Sequence, residues 1–503
     1  MAAIPTETEI KLVFRADGAE GIKRHFANAT RRGRERNELT TYYDTDDLLL
    51  HRHGFSLRTR KSDGHVVQTL KQTPAGSALA FRRNEWEWNL QGDELLFPPV
   101  RQLLAASGVD GDVCRLKPRI VTKIRRQRFD VIRYGSEIEA AIDEGVVKAG
   151  DREEAVHEIE LELKHGHAGP AYRIALELLA HYPLRLGIES KADRGYRLFT
   201  GRRPAARTSR GATVPKHASL KEAMAGTIEA ALQGFVANLP AAQAGAPEGV
   251  HQAHVALRRV RSMLVFYSPC LEQPARERFE NAIREFGVVL GAARDWDVFI
   301  DGTLCAAAKS DVPPNWIAAL SEVAEIRRLA ARLAVRQMLE SKAPAELVLG
   351  LLAWIGEGPW TEKSIQISRL RAFDALPGFL DRLNDKVRRR GRHLSRLSAA
   401  ELHPLRKSIK KLRYSAESTP ELYPGKDVNR FVKACKKLQA VLGAINDAKV
   451  TVRLLTEIAP GDSACLAAAA GAVQRWNIDR QNGSMPALEK AWKTLKHTDL
   501  FWK

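Results

Sequence analysis

Two textures of apolar and polar residues divide the chain. Over the first 200 residues, apolar side chains alternate with charged ones at period two. The segments are Glu7–Phe14, Phe55–Lys61, Val66–Lys71, Asn84–Leu90, Ile120–Val131 and His157–Lys164. That period predicts β-strands. Ser62-Asp63-Gly64, Pro74-Ala75-Gly76 and Asp143-Glu144-Gly145 read as the turns between them. Short helices are predicted near Gly18–Ala29, Pro98–Ala106 and Gly169–His181. Residues 201–217 are basic, aperiodic and rich in Pro, Gly, Ser and Thr, the composition of a linker. From Ser219 onward, long Ala/Leu/Arg/Glu-rich runs punctuated by Pro and Gly predict an all-helical half.

The helical half repeats itself. His251-Gln-Ala-His254-Val-Ala-Leu-Arg258-Arg259-Val-Arg261 matches His403-Pro-Leu-Arg406-Lys407-Ser-Ile-Lys410-Lys411-Leu-Arg413, and Leu290-Gly-Ala-Ala-Arg294-Asp295 matches Leu442-Gly-Ala-Ile-Asn446-Asp447, always 152 residues apart. Matches in one frame predict two related helical units, about 218–365 and 370–503, packed around a pseudo-two-fold axis. At roughly 100° per residue, His251, His254, Arg258 and Arg261 share one helix face, as do His403, Arg406, Lys410 and Arg413.

Charge sharpens this picture. The 503 residues exceed what one hydrophobic core organises, so two or more domains are expected. Of the net charge of +19, residues 1–200 hold +2 (32 Lys/Arg, 30 Asp/Glu) and residues 201–503 hold +17 (47 against 30). Residues 386–413 carry eleven Lys/Arg and one acidic residue, Glu401, so few intrahelical pairs relieve the repulsion. Two such faces near one axis call for a polyanion. The stretch has no aromatic side chain for base stacking, which disfavours nucleic acid. Glu7, Glu9 and Lys11 precede any apolar run, and none is long enough for a membrane span, so neither a signal peptide nor a membrane is supported. Five scattered cysteines read as reduced thiols of a cytoplasmic protein.

In the first half the polar faces are themselves patterned. Glu7, Glu9 and Lys11 share one face of a strand, and Glu158, Glu160, Glu162 and Lys164 one face of another. Arg58 with Arg60, and Lys123 with Arg125, place cations at the same spacing. Carboxylates at i and i+2 repel without a cation between them. Hard divalent ions take carboxylate and phosphate oxygens together, which suits phosphoryl transfer.

Glu7-Thr-Glu9-Ile-Lys11 resembles the E-x-E-x-K signature of the CYTH, or triphosphate tunnel metalloenzyme, superfamily. Arg58/Arg60, Lys71, the Glu158–Lys164 strand and Ser190-Lys191-Ala-Asp-Arg194-Gly-Tyr196 extend the likeness over about residues 4–200. The resemblance implies an α+β antiparallel eight-stranded tunnel hydrolysing inorganic triphosphate with Mg²⁺ or Mn²⁺. It implies metal ligation by Glu7, Glu9, Asp143, Glu160 and Glu162, and triphosphate contacts from Arg58, Arg60, Arg125 and Lys191. Lys11 and Lys71 would act in catalysis. Lys123 or Arg126 fills the place of Arg125 if the register differs by a residue or two.

The helical half is similar to the CHAD domain, named for conserved histidines, with His251 and His403 at the signature positions. This likeness covers about residues 218–500. It implies polyphosphate binding by His251, His254, Arg258, Arg259, Arg261, His403, Arg406, Lys407, Lys410, Lys411 and Arg413, and association with polyphosphate granules. The family usually has Arg where this chain has His254, which makes the first repeat's grip weaker or pH-dependent. Competing readings are a granule-associated binding protein with little catalysis, a thiamine triphosphatase and an adenylate cyclase.

Overall fold

The computed structural model describes residues 6–26, 31–72, 83–209, 211–358, 360–361, 364–458, 463–481 and 484–503. The Pro74-Ala75-Gly76 turn lies outside them. The chain forms two compact units. One is built from Met1–Ala205 with Leu339–Glu357, the other from Ala206–Met338 with Gly358–Lys503.

The first unit is built on ten strands: β1 (Thr6–Val13), β2 (Arg31–Arg32), β3 (Arg36–Asp44), β4 (Phe55–Ser62), β5 (His65–Gln72), β6 (Arg83–Leu90), β7 (Lys117–Arg133), β8 (Ser136–Ala149), β9 (Arg152–His165) and β10 (Arg185–Leu186). Eight of them close a ring in the order β1-β6-β5-β4-β3-β7-β8-β9 and back to β1, all antiparallel. The two-residue strands β2 and β10 flank it on β7 and β1. The expected eight-stranded tunnel is therefore present, with two short additions.

Its polarity is inverted relative to an ordinary sheet sandwich. On β1 and β9 the charged positions face inward, while Ile10, Leu12, Ile159 and Leu161 point outward and are fully buried. They are covered by the helix Gly169–His181, which starts and ends where its sequence pattern predicts and buries Ile174, Ala175, Leu178 and Leu179. Each such side chain removed from water contributes roughly 1.5–3 kcal/mol. The hydrophobic core thus lies outside the ring and leaves the lumen to polar groups.

Two sequence readings need correction. Asp143-Glu144-Gly145 is no turn. All three lie inside β8, paired with β7 and β9. Gly145 is there because a Cβ would lie 2.0 Å from the Lys123 carbonyl oxygen, so the glycine serves close strand approach. Residues 201–217 are no free linker in their later part. The Arg207 and Ser209 amides donate to the Asn238 and Gln252 side chains (both 2.9 Å), the Val214 amide to the Ser418 carbonyl (2.7 Å), and Val214 is fully buried.

A further difference concerns Ala343–Glu357. This almost wholly apolar helix lies within the helical half of the sequence but packs on Gly169–His181 of the first unit, with Arg173 paired to Glu357 at 2.5 Å. It buries Leu347, Val348, Leu351, Leu352 and Ile355.

In the second unit the repeat is visible in the helix starts. Leu220–Gln243, Pro247–Phe266 and Gln273–Val298 begin 152 residues before Ala372–Arg390, Ala399–Glu417 and Gly425–Ile458. Ser219 bridges antiparallel to its own equivalent, Arg371. The Leu220 amide donates to the Leu370 carbonyl and the Ala372 amide to the Ala218 carbonyl, both at 2.8 Å. Equivalent residues exchanging equivalent bonds mark the pseudo-two-fold axis. Pro247–Phe266 and Ala399–Glu417 pack on each other beside it.

Candidate functional site

The lumen of the ring is a cavity of about 240 Å³. Glu9, Lys11, Arg58, Arg60, Lys71, Glu160, Glu162 and Lys191 all line it, so the structure gathers most of the residues singled out in the first half. The Glu7 side chain lies outside the described residues. Ring order explains the gathering. The carboxylates Glu139, Glu160, Glu162, Glu9, Glu85 and Glu87 come from four consecutive strands, β8, β9, β1 and β6. Arg58, Arg60, Lys71, Arg126 and Arg128 come from β5, β4 and β7 on the remaining arc, where Glu38 of β3 is the exception. A carboxylate-rich arc, interrupted by Lys11 of β1 and Lys164 of β9, faces a basic arc.

Arg125 is not part of this surface. Its side chain is half-exposed on the outer wall, 2.9 Å from Glu144, and the lumen position belongs to Arg126. Thr122, Ile124, Arg126 and Arg128 line the cavity because side chains on β7 alternate. Arg126 reaches Asp143 through two bonds, at 2.6 and 2.5 Å, and Glu160 at 2.6 Å. Arg128 reaches Glu38 at 3.2 Å.

Asp143, Glu158 and Glu160 offer oxygens within 4.8 Å of one another, an all-oxygen set of the kind hard divalent ions prefer. The Lys191 ammonium already reaches all three, at 2.7 Å from Asp143, 2.9 Å from Glu160 and in close contact with Glu158. Arg194 holds the other Glu158 oxygen at 2.9 Å. Lys191 gets there because Ser190 and Asp193 form a capping box that starts the helix Lys191–Thr200 at the lumen wall. Lys11 lies 3.0 Å from Glu160 and 3.5 Å from Glu158 and Glu9, and Gly187 makes room for its stem. Glu9 and Glu162 stand opposite each other across β1 and β9. Glu158 was the buried partner that sequence reading placed on the strand without a role. Its position two residues before Glu160 was the available signal.

Burial alone would lower the Lys11 and Lys191 ammonium pKa values. The surrounding carboxylates outweigh it and raise both. Burial likewise works against the Glu160 carboxylate, yet Lys191, Lys11 and Arg126 hold it well below its usual range. Arg60 is lowered to about 10, chiefly by Arg58, then by burial and Arg126.

In the second unit, His251, His254, Arg258, Arg406 and Lys410 come together where Pro247–Phe266 meets Ala399–Glu417, joined by Arg294. Arg261, Lys407 and Lys411 continue the patch towards Arg390 and Lys386. Among the described residues, Arg258, Arg406, Lys407, Lys410 and Lys411 have no carboxylate within 4.0 Å. The buried Nε atoms of Arg258, Arg261 and Arg406 have no hydrogen-bond partner. His403 is held by Asn446 at 2.9 Å.

Three members of the expected cluster are otherwise engaged, among them Arg261, which lies 3.9 Å from Glu280. Arg259 lies about 100° around the helix from Arg258, pairs with Glu417 at 3.1 Å and stacks on Tyr414. Arg413 grips the same Glu417 at 2.5 Å and the same ring, and binds Gln439. Burial, then Arg258, lowers His254 to about 3 and Lys410 to about 6. Burial, then Arg261, lowers Lys411 to about 8.

The first unit is a charged β-tunnel and the second a duplicated cationic helical bundle. Sequence models agree with that division: the CYTH domain model matches residues 5–196 and the CHAD domain model matches residues 226–456. An inorganic triphosphatase of Haemophilus influenzae is 31% identical over 159 residues, a stretch that covers 31% of this chain and 45% of that relative. The crystal structure of the CHAD domain from the plant Ricinus communis superposes with a TM-score of 0.51 at 27% identity, covering 57% of this chain and 96% of that one. Among the described residues no helix is long and apolar enough to cross a membrane.

Proposed function

We propose that the tunnel hydrolyses inorganic triphosphate with a divalent metal and that the helical unit binds polyphosphate. The observation carrying the first part is the lumen's division into a carboxylate-rich arc and a basic arc. A linear triphosphate carries negative charge along its whole length. Arg58, Arg60, Lys71, Arg126 and Arg128 offer it donors in a closed channel, where charge is weakly screened. Lys11 and Lys191 stay protonated at neutral pH, so they act as fixed donors to phosphate oxygens as charge shifts towards the leaving group. Tyr42 is the one aromatic residue among the described lining, and it is buried. A base or thiazole ring finds no stacking platform there, which favours inorganic triphosphate over a nucleotide or thiamine triphosphate.

Glu9, Glu160 and Glu162 would hold Mg²⁺ or Mn²⁺, with Asp143 and Glu158 behind them. Such an ion supplies positive charge to phosphate oxygens and orients them. The test is phosphate release by the full chain from triphosphate, ATP and thiamine triphosphate, with Mg²⁺, Mn²⁺ or chelator. Rapid, metal-dependent release from triphosphate supports the reading. Equal rates on all three substrates reject its specificity.

The half-buried Arg258 and Arg406, whose Nε atoms have no hydrogen-bond partner among the described residues, support the second part. A phosphate chain supplies acceptors at short, regular spacing, and its binding should weaken steeply with salt as counterions are released. Charge reversal of Arg258, Arg406 and Lys410 to Glu should abolish binding. Displacement by duplex DNA at equal phosphate concentration would reduce the face to a generic anion surface.

A further inference from the structure

Positions 254 and 406 are equivalent across the repeat, yet one is a histidine and the other an arginine. Each lies over the equivalent glycine of the next helix. His254 Cε1 is 3.4 Å from where a Cβ on Gly291 would sit, and an Arg406 guanidinium nitrogen is 4.0 Å from the corresponding point on Gly443. The positions are equivalent, but only the histidine can shed its charge near neutral pH. Lys410, from the second repeat, lies close to His254 of the first.

Resting on the reading of this face as a polyphosphate site, we propose that capture of the polyanion is coupled to proton uptake, first by Lys410 and, at lower pH, by His254. Lys410 is faced by Arg258, Arg406 and Arg413, with Asp447 the opposing charge. His254 is faced by Arg258, Lys410, His251 and Arg294. These cations are half-buried, and among the described residues neither Arg258, Arg406 nor Lys410 has a carboxylate within 4.0 Å. Arginine cannot relieve such crowding by losing a proton, whereas lysine and histidine can. The free cluster therefore sheds charge where it is able, which agrees with the low values of both groups. A chain of phosphates reverses the local field and restores the protons, so each protonated contact forms at the moment of binding. The arginines grip at any pH, and the titratable pair adds a grip that strengthens as pH falls.

Calorimetric titration of the full chain with long-chain polyphosphate tests this. Long chains keep their end groups, which titrate near neutrality, a small part of the signal. At pH 7.5, in buffers of different ionisation enthalpy, the heat should vary with the buffer and report close to one proton taken up per site. Affinity should fall about tenfold per pH unit between pH 6.5 and 7.5, a range in which Lys411 is still largely protonated. Lys410→Arg should keep binding and flatten that slope, and His254→Arg should remove the additional gain below pH 6. Binding with buffer-independent heat and a flat pH profile overturns the coupling and leaves the polyphosphate reading intact. Undiminished uptake in a folded Lys410→Arg variant overturns the assignment to Lys410. If that variant does not fold, the wild-type buffer series decides the coupling alone. Absence of binding in every buffer removes the underlying reading, and this proposal with it.

Discussion

Arg125 and Arg126 are adjacent in sequence and stand on opposite sides of the tunnel wall. Arg126 clasps Asp143 and Glu160 from within, and Arg125 pairs with Glu144 outside. Arg126→Ala should lower kcat/KM for triphosphate by about 10²–10³, the usual loss for one charged stabiliser, while Arg125→Ala stays near wild type. Steady-state kinetics on the two variants checks this. Equal losses would place both residues in a structural role.

Lys191 neutralises three carboxylates at once. Lys191→Met leaves Asp143, Glu158 and Glu160 with less compensation in a buried setting, and removing one partner of such a network costs about 3–5 kcal/mol. Thermal unfolding should begin well below the wild-type midpoint. Part of the loss should return as pH falls through the carboxylate range, because protonation then relieves the repulsion. An unchanged melting curve at neutral pH would refute the account.

Glu9 and Glu162 face each other across β1 and β9. Glu9→Gln combined with Glu162→Gln keeps the shape of both side chains and removes two formal charges. The double variant should need much more Mg²⁺ or Mn²⁺ for half-maximal rate, with circular dichroism unaltered. A wild-type metal requirement would move the ion elsewhere in the lumen.

Lys410 binds fewer protons folded than unfolded, since its value falls from 10.5 to about 6. In the free protein its contribution therefore disfavours folding at neutral pH and eases as pH rises from about 6 towards 10.5, by at most about 1.4 kcal/mol per unit. Lys410→Met should be the more stable chain at pH 7, with its advantage shrinking by pH 9.5. Paired melting curves at both values decide it. A constant difference would mean that Lys410 is solvated and charged throughout.

Period-two alternation was enough to read β1 and β9, because their charged and apolar positions separate cleanly. The helix Gly169–His181 was legible from its pattern to the residue, and the 152-residue offset announced the duplication before any helix was seen. The run Lys123-Ile124-Arg125-Arg126-Gln127-Arg128 was ambiguous for a physical reason. It has cations on both parities, and only pairing with β8 decides which parity faces the lumen. β8 was hidden by Gly145, which looks like a turn and serves a close strand crossing. Glu38 of β3 escaped notice since Asn37-Glu38-Leu39-Thr40-Thr41 carries no charge alternation to mark a face. The engagement of Arg259 and Arg413 with Glu417 depends on a tertiary meeting that local spacing does not encode.

The helix Ala343–Glu357 makes the two units discontinuous along the sequence. The polypeptide passes between them three times, near residues 205, 338 and 357. A protease cutting once, at any of these places, leaves at least two covalent ties intact. For the same reason, a gene truncated after residue 205 encodes a tunnel missing one of its own helices, with the apolar flank of Gly169–His181 turned to water.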